Sequence, residues 1–187
     1  MRRAYRFQNA RPEGTLVEPA LHELVQRYGE TAHYAVLEGP EVVYRAKVDP
    51  PEGGVRLTSV VGGRNPAYRT AVGKLLLSFT LGSESELRGL VGDGPLPVRT
   101  ERSIASVAQL WIELTETRRR GYAIDDQENE LGINCVAVPV RWSSDGNPVA
   151  AVSVSALAFR TPLERLVADV PVIRSIVDAA TVGTASI

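Results

Sequence analysis

The chain has 187 residues, of which 44% are hydrophobic and 23% are charged, and its formal net charge is -1 at pH 7. Those values are typical of one globular domain that buries its own core. Because 21 basic residues balance 22 acidic ones, the charge gives no argument for a nucleic-acid surface or a polybasic membrane patch. The single cysteine, Cys135, excludes an internal disulfide, and with only two histidines a Cys/His zinc cluster is disfavoured. We expect a reducing, cytoplasmic setting.

Neither end of the chain carries a targeting signal. The start, Met1–Phe7, lacks the apolar core of a signal peptide, and no run of about 18 apolar residues predicts a membrane span. Residues 181–187 form a small-residue tail that we expect to be frayed. We therefore treat 1–187 as one domain.

The first part of the chain predicts a helix followed by strands. A capping box at Thr15–Glu18 opens an amphipathic helix that ends at Gly29, with Pro19 in its first turn. Three short segments with alternating apolar residues follow, at 33–38, 42–48 and 55–61. Because their connections are too short for a crossover helix, we predict consecutive antiparallel strands.

The middle of the chain is predicted to be helical. One helix runs over 70–79 with Thr70 as its N-cap, and a short one begins at the capping box of Ser83. A longer helix begins at Thr100 or Ser103 and ends before Gly121. Its last turn is Arg118–Arg120, which indicates a helix end favoured by the macrodipole rather than a DNA-binding patch.

The last part predicts a hairpin and a closing helix. A brief strand at 122–124 precedes an acidic loop at 125–128, and two apolar strands at 133–142 and 149–157 join through a turn at 143–147. A final helix is capped at Thr161 and kinked at Pro171. Six strands and five helices with local connections predict an α+β fold built on one twisted antiparallel sheet.

The start of the second helix is a candidate anion site. A Walker A loop is excluded, because Gly73-Lys74 has Tyr68 where the first glycine is needed and Leu75 where Ser or Thr is needed. With Thr70 as N-cap, the amides that follow it are free to bind a ligand or to remain solvated. They belong to Ala71, Val72 and Gly73.

Two strands supply candidate polar groups on one face. Ser153 and Ser155 are two apart, so both hydroxyls point to the same side of the strand. Buried hydroxyls need partners, either backbone groups in a core or a polar ligand, and both remain open. Cys135 in the neighbouring strand is by default a small buried side chain.

Catalytic arrangements have little support. Asp125 and Asp126 could form an acid/base pair, although two loop acids are more often solvated or capping. A nucleophilic triad would need a histidine beside Ser or Cys, and neither His22 nor His33 has a nucleophile at motif spacing.

Several segments, in order and spacing, are similar to one known family. They are Glu23–His33, Val42–Tyr44, Thr70–Leu77, Arg120–Asp126, Gly132–Val140 and Ala150–Ser155. Together they resemble the effector-binding domain of the IclR family of bacterial transcription regulators over nearly the whole chain. The resemblance implies an antiparallel sheet flanked by helices, related to the GAF and PAS ligand-sensing folds. It also implies that a winged helix-turn-helix, which the family carries N-terminally, is missing from this sequence.

The resemblance also implies an effector pocket. Matched residue by residue, the pocket consists of Ala71, Val72, Asp125, Cys135, Ser153 and Ser155. A helix start facing two hydroxyls suits a small organic acid. An ionised Asp125 would repel a bare carboxylate, so we expect it at the other end of the ligand. No cofactor, metal ligand or catalytic residue is implied.

The sequence departs from the family pattern at two places. Ala156-Leu157 follow Ser155 where family members commonly have Gly, so we expect a different pocket rim. Leu75-Leu76-Leu77 are bulkier than the family's usual residues after the Gly-Lys pair.

We therefore predict a ligand-sensing domain of an IclR-type regulator, which forms a dimer or tetramer through its first helix or strand edges. It would act on DNA only through the missing domain and would not be an enzyme. The alternative from another class is a small-molecule-transforming enzyme that uses Asp125, Cys135 and the serines. A zinc-binding variant with His33 or Cys135 has too few soft ligands.

Overall fold

One antiparallel sheet organises the molecule, whose computed structural model describes residues 12–51, 56–141 and 146–182. Its strands are β1 (Thr31–Glu38), β2 (Glu41–Val48), β3 (Arg64–Pro66), β4 (Ala123–Asp126), β5 (Ile133–Val140) and β6 (Ala150–Leu157). They lie in the order β3-β2-β1-β6-β5-β4. All five pairings are antiparallel, which confirms the predicted fold class.

Helices cover both faces of this sheet. They are α1 (Pro12–Tyr28), α2 (Ala71–Thr80), α3 (Glu84–Val91), α4 (Val107–Arg120), α5 (Leu163–Ala168) and α6 (Val170–Val182), with a 3-10 turn at Ala67–Arg69. The core on one side joins the sheet to α2, α3 and α4, and the core on the other side joins it to α1, α5 and α6. Within the described ranges no helix is long and apolar enough to cross a membrane.

Strand alternation gives the two faces different side chains. On β5 and β6 most residues facing α1 and α6 are valines, including Val136, Val152 and Val154. The residues facing α2 are small, and Ala137 and Ala151 are fully buried there. Because these side chains take little room, α2 packs close to the sheet.

Gly73 fixes the place where α2 begins. A Cβ at this position would lie 2.1 Å from the carbonyl oxygen of Ala67, so no larger residue fits without moving the backbone. The predicted helix start is confirmed, since the side chain of Thr70 accepts a hydrogen bond from the Gly73 amide.

The third predicted strand was placed wrongly. Residues 56–61 belong to no strand, residues 52–55 lie outside the described ranges, and the third strand is Arg64–Pro66. Residues 57–60 line a cavity as a loop, and Val60 and Val61 are exposed. The Tyr44 backbone bonds to Gly62 and Gly63, where the chain turns toward β3.

The fourth helix begins later than predicted. Its N-cap is Ser106, neither Thr100 nor Ser103. Those two hydroxyls bind the loop after β4 instead, because Ser103 Oγ donates to the Glu128 carbonyl and Thr100 Oγ1 donates to the Gln127 carbonyl. Asp125 and Asp126 were also misplaced, since they end β4 rather than begin a loop.

The first and last helices differ from the prediction in their bounds. The first helix begins at Pro12, so Pro19 lies inside it rather than in its first turn. The last helix is two helices separated at Asp169, and Pro171 lies in the first turn of α6, where a missing amide is tolerated. Thr161 caps neither helix, because its hydroxyl donates to Glu30.

The remaining predictions concern chain ends and charges. The arginines that end α4 bind carbonyls and acids of the domain itself, as expected of a helix end: Arg118 donates to Ser78 and Leu81, and Arg119 pairs with Glu116. Most of the predicted turn at 143–147, the start Met1–Phe7 and residues 183–187 of the tail lie outside the described residues.

Candidate functional site

A cavity of about 260 Å³ lies between the start of α2 and the polar end of the sheet. All six residues that the sequence predicted for a pocket line it together, although they come from four separate elements. These residues are Ala71, Val72, Asp125, Cys135, Ser153 and Ser155.

The start of α2 offers two amides to this cavity. Gly73 is not one of them, which corrects the prediction, because its amide donates to Thr70 Oγ1 over 3.1 Å. The amides of Ala71 and Val72 have no acceptor among the described residues. A helix start of this kind favours a negatively charged ligand group.

The floor of the cavity is a row of side chains across three strands. In the register of the sheet Asp125 pairs with Cys135, and Cys135 pairs with Ser155. Cys135 Sγ donates to Ser155 Oγ over 3.1 Å. Ser153, one pair further along β6, has no partner among the described residues, so its hydroxyl is available to a ligand.

His33 also lines the cavity, and the sequence interpretation missed it. It pairs with Ser153 across β1 and β6, its Nδ1 lies 3.4 Å from Ser155 Oγ, and its Nε2 lies 2.8 Å from Ser59 Oγ. Motif spacing could not find it, because the sheet brings together residues 122 apart in sequence. Burial lowers the pKa of His33 to about 3, so the ring is neutral at physiological pH.

Asp125 is a buried acid on the cavity wall. Its Oδ1 accepts a hydrogen bond from the Glu128 amide at 2.7 Å and a longer one from Asn129. Its Oδ2 has no partner among the described residues. The pKa of Asp125 is raised to about 7: burial is the main cause, the Lys74 charge opposes it, and the Glu128 charge adds to it.

A buried ion pair lies behind Asp125. Lys74 is fully buried, and its Nζ lies 2.5 Å from Glu128 Oε1 and 3.9 Å from Glu113 Oε1. Glu113 is shared with Arg120, at 2.6 Å. Burial raises the pKa of Glu128, whose second oxygen has no hydrogen-bond partner among the described residues. The pair joins α2 to the loop that carries the Asp125 hydrogen bonds.

Cys135 is poorly suited to nucleophilic chemistry. Burial raises the pKa of its thiol well above the ordinary value, and the Asp125 charge adds to this. Because the thiolate is the reactive form, a thiol held in this state acts as a weak donor.

A loop before β3 covers the mouth of the cavity. Lys47 Nζ donates to the carbonyls of Leu57 and Ser59, at 2.8 and 2.7 Å, and so fixes this loop over the sheet. Arg64 and Arg99 stand at the mouth and are exposed. Arg64 is paired with Glu38 and Glu41, whereas Arg99 has no acidic partner within the described part of the chain.

Several residues singled out in the sequence lie elsewhere. Asp126 pairs with Arg102 and does not line the cavity, so it forms no acid pair with Asp125. Ala156 packs on the opposite face of the sheet, and Leu75, Leu76 and Leu77 pack in the core on the α2 side. In the ranges described, no group of three or more His, Cys, Asp or Glu side chains could hold a metal ion.

The family comparison matches this architecture directly. Residues 14–180 match the model of the bacterial transcriptional regulator IclR C-terminal domain. The chain belongs to the IclR family. The matched region is the family's C-terminal, effector-binding domain, so the resemblance stated from the sequence is confirmed.

Individual IclR-type relatives agree with this assignment. The chain is 40% identical to the regulator XynR of Escherichia coli over 140 residues, which is 75% of this chain and 54% of that protein. It superposes on the IclR structure from Thermotoga maritima with a TM-score of 0.79 and 33% identity, over 96% of this chain and 70% of the other. An IclR homolog from Microbacterium hydrocarbonoxydans complexed with 4-hydroxybenzoate gives a TM-score of 0.74 at 26% identity, covering 96% and 69%.

These IclR relatives are transcriptional regulators, which decides against the enzyme alternative. The chain spans about half the length of the curated IclR-type relatives it matches. It is a ligand-binding regulatory domain of that family.

Proposed function

We propose that this domain senses a small organic acid and that the cavity at the start of α2 is its binding site. One observation carries the proposal: two amides and a serine hydroxyl that have no partner among the described residues line one small cavity together with a buried acid. The family relative bound to 4-hydroxybenzoate supports the same class of ligand, because that compound is a carboxylic acid with a second polar group.

The geometry supports each proposed contact. The ligand carboxylate accepts from the amides of Ala71 and Val72, where the helix dipole favours a negative charge. Ser153 and Ser155 bind it from the sheet. Asp125 lies toward the other polar group of the ligand, and the Cys135 thiol closes the floor between them.

The proposed effect on transcription requires parts of the protein outside this sequence. We propose that DNA is bound by a domain outside this sequence, in a cytoplasmic homo-oligomer, either a dimer or a tetramer. The effector changes DNA binding only by the difference in its affinity for two arrangements of that assembly.

A thermal-shift screen of small carboxylic acids tests the site. We expect at least one acid to raise the Tm of the wild type and to lose most of that effect on the Ser153→Ala/Ser155→Ala double variant. Ser85→Ala, an exposed serine on α3, is the matched control and keeps the full shift. An acid that stabilises all three proteins equally would place its binding site elsewhere.

A further inference from the structure

The cavity proposed to hold a carboxylate already contains a carboxyl group. Asp125 is only 3% exposed, and both described hydrogen bonds to its side chain end on Oδ1. Oδ2 is therefore the oxygen that a ligand can reach. A carboxylate effector must share a cavity of about 260 Å³ with this group.

Two carboxylates in one buried site do not both stay ionised, because each disfavours the charge of the other. A nearby cation could balance the second charge, so the groups around Asp125 decide the outcome. The titratable groups that share its surroundings are Lys74 on α2, Glu128 in the following loop, Cys135 on β5, His33 on β1 and Tyr44 on β2. Arg64, Arg99 and Glu130 stand at the mouth.

Among the described residues, none of these cations is both buried and free of an acidic partner. Lys74 is already bound to Glu128 and lies near Glu113. Arg64 is paired with Glu38, and Arg99 is exposed, so water screens its charge. The neutral ring of His33 adds no positive charge.

We propose that the domain takes up one proton when it binds a carboxylate effector, and that Asp125 holds this proton and donates it from Oδ2 to an effector oxygen. This inference rests on the proposed function, and it revises the expectation that Asp125 meets the ligand as an ionised acceptor. Burial has already raised the pKa of Asp125 to about 7, so the proton costs little near neutral pH.

The buried Lys74–Glu128 pair behind Asp125 positions this carboxyl group and influences the pH at which it is protonated. The Glu128 amide holds Asp125 Oδ1 at 2.7 Å, and the Lys74–Glu128 pair fixes that loop against α2. The Glu128 charge raises the pKa of Asp125 and the Lys74 charge lowers it. Removing the negative member therefore shifts the pH range in which Asp125 is protonated downward.

A donor at Oδ2 also determines specificity. It favours acids that present an acceptor toward Asp125, such as a keto or carboxylate oxygen. Acids that offer only a donor at that point lose the hydrogen bond.

Calorimetric titration measures the proton directly. The chain is titrated with pyruvate, glyoxylate and 4-hydroxybenzoate between about pH 5.5 and pH 8.5, in pairs of buffers that differ in ionisation enthalpy. We expect proton uptake to rise from near zero at low pH to about one per effector at high pH. The affinity should fall about tenfold for each pH unit above about 7.

Three variants assign the proton. Asp125→Asn places a permanent donor beside the same backbone contacts, so its binding should be independent of pH and take up no proton. Asp126→Asn, the adjacent acid outside the cavity, is the matched control and should behave as the wild type. Glu128→Gln should move the fall in affinity to lower pH.

The outcomes separate the two proposals. Binding whose affinity is flat or rises with pH, or uptake that persists in Asp125→Asn, overturns the proton proposal and leaves the effector site standing. Binding by none of the three acids at any pH overturns both. Uptake that disappears only in Asp125→Asn supports both.

Discussion

The two faces of the sheet are built from the same strands, but one face packs a core and the other also lines the cavity. On β6, Val152 and Val154 pack against α1 and α6, whereas Ser153 and Ser155 open into the cavity. On β6 the first of these faces is apolar along its length, and valines fill much of the core there. The other is small and apolar under α2, then polar where α2 begins.

This difference shows how an alternating sequence serves stability and recognition at once. Successive side chains of a strand point to opposite faces of the sheet. Polar residues on one face therefore leave the apolar core on the other face intact. Small residues on the polar face allow α2 to pack close to the sheet. The N-terminal end of α2 then points into the cavity beside them. The cavity is thus a consequence of where α2 begins.

Gly73→Ala should have the largest effect, because it breaks that placement. The added Cβ would meet the Ala67 carbonyl at 2.1 Å, and backbone on both sides must move. We expect a loss of at least about 3 kcal/mol in the free energy of unfolding, measured by urea titration, and loss of effector binding.

Gly89→Ala is the control for this change. It lies on α3 with open space around its Cα, so it should be neutral or stabilise by about 0.5–1 kcal/mol. If Gly73→Ala were as mild as Gly89→Ala, the close approach of α2 would not matter to the fold.

Neighbouring substitutions on β6 should separate the two faces. Val152→Ala removes buried apolar volume and should cost about 2 kcal/mol of stability while the affinity for the effector stays within about twofold. Ser153→Ala should change stability by less than about 1 kcal/mol and weaken the effector at least about fivefold.

Denaturant titration and calorimetry on the same samples check this pair. Comparable losses of affinity in both variants would mean that the faces are coupled, which the separation of the two cores argues against.

The layered fold and the start of α2 were predictable because they rest on local signals. Alternation gives β5 and β6, and the Thr70 cap gives the start of α2. The six pocket residues came from the family resemblance, and the structure brings them together around one cavity.

What could not be predicted depends on contacts between distant segments. His33 meets Ser155 across the sheet, and Lys74 meets Glu128 at a separation of 54 residues. The third strand was wrong because alternation does not report strand pairing: residues 57–60 line the cavity as a loop, and Val60 and Val61 are exposed. Thr100 and Ser103 are residue types that commonly cap helices, but their hydroxyls donate hydrogen bonds to the loop after β4 instead.

The smallest expected effect compares two helix caps of the same kind. Thr70 caps α2 at the cavity, and Ser83 caps α3 far from it, each through its hydroxyl and the amide three residues on. Thr70→Ala and Ser83→Ala should each cost about 1 kcal/mol of stability. Only Thr70→Ala should change effector affinity, because it frees the Gly73 amide beside those of Ala71 and Val72. Calorimetry measures that change. Tighter binding would mean that a third amide donor improves the anion site, and weaker binding would mean that a less rigid helix start weakens it. Equal affinities in both variants would show that the start of α2 is not part of the binding site.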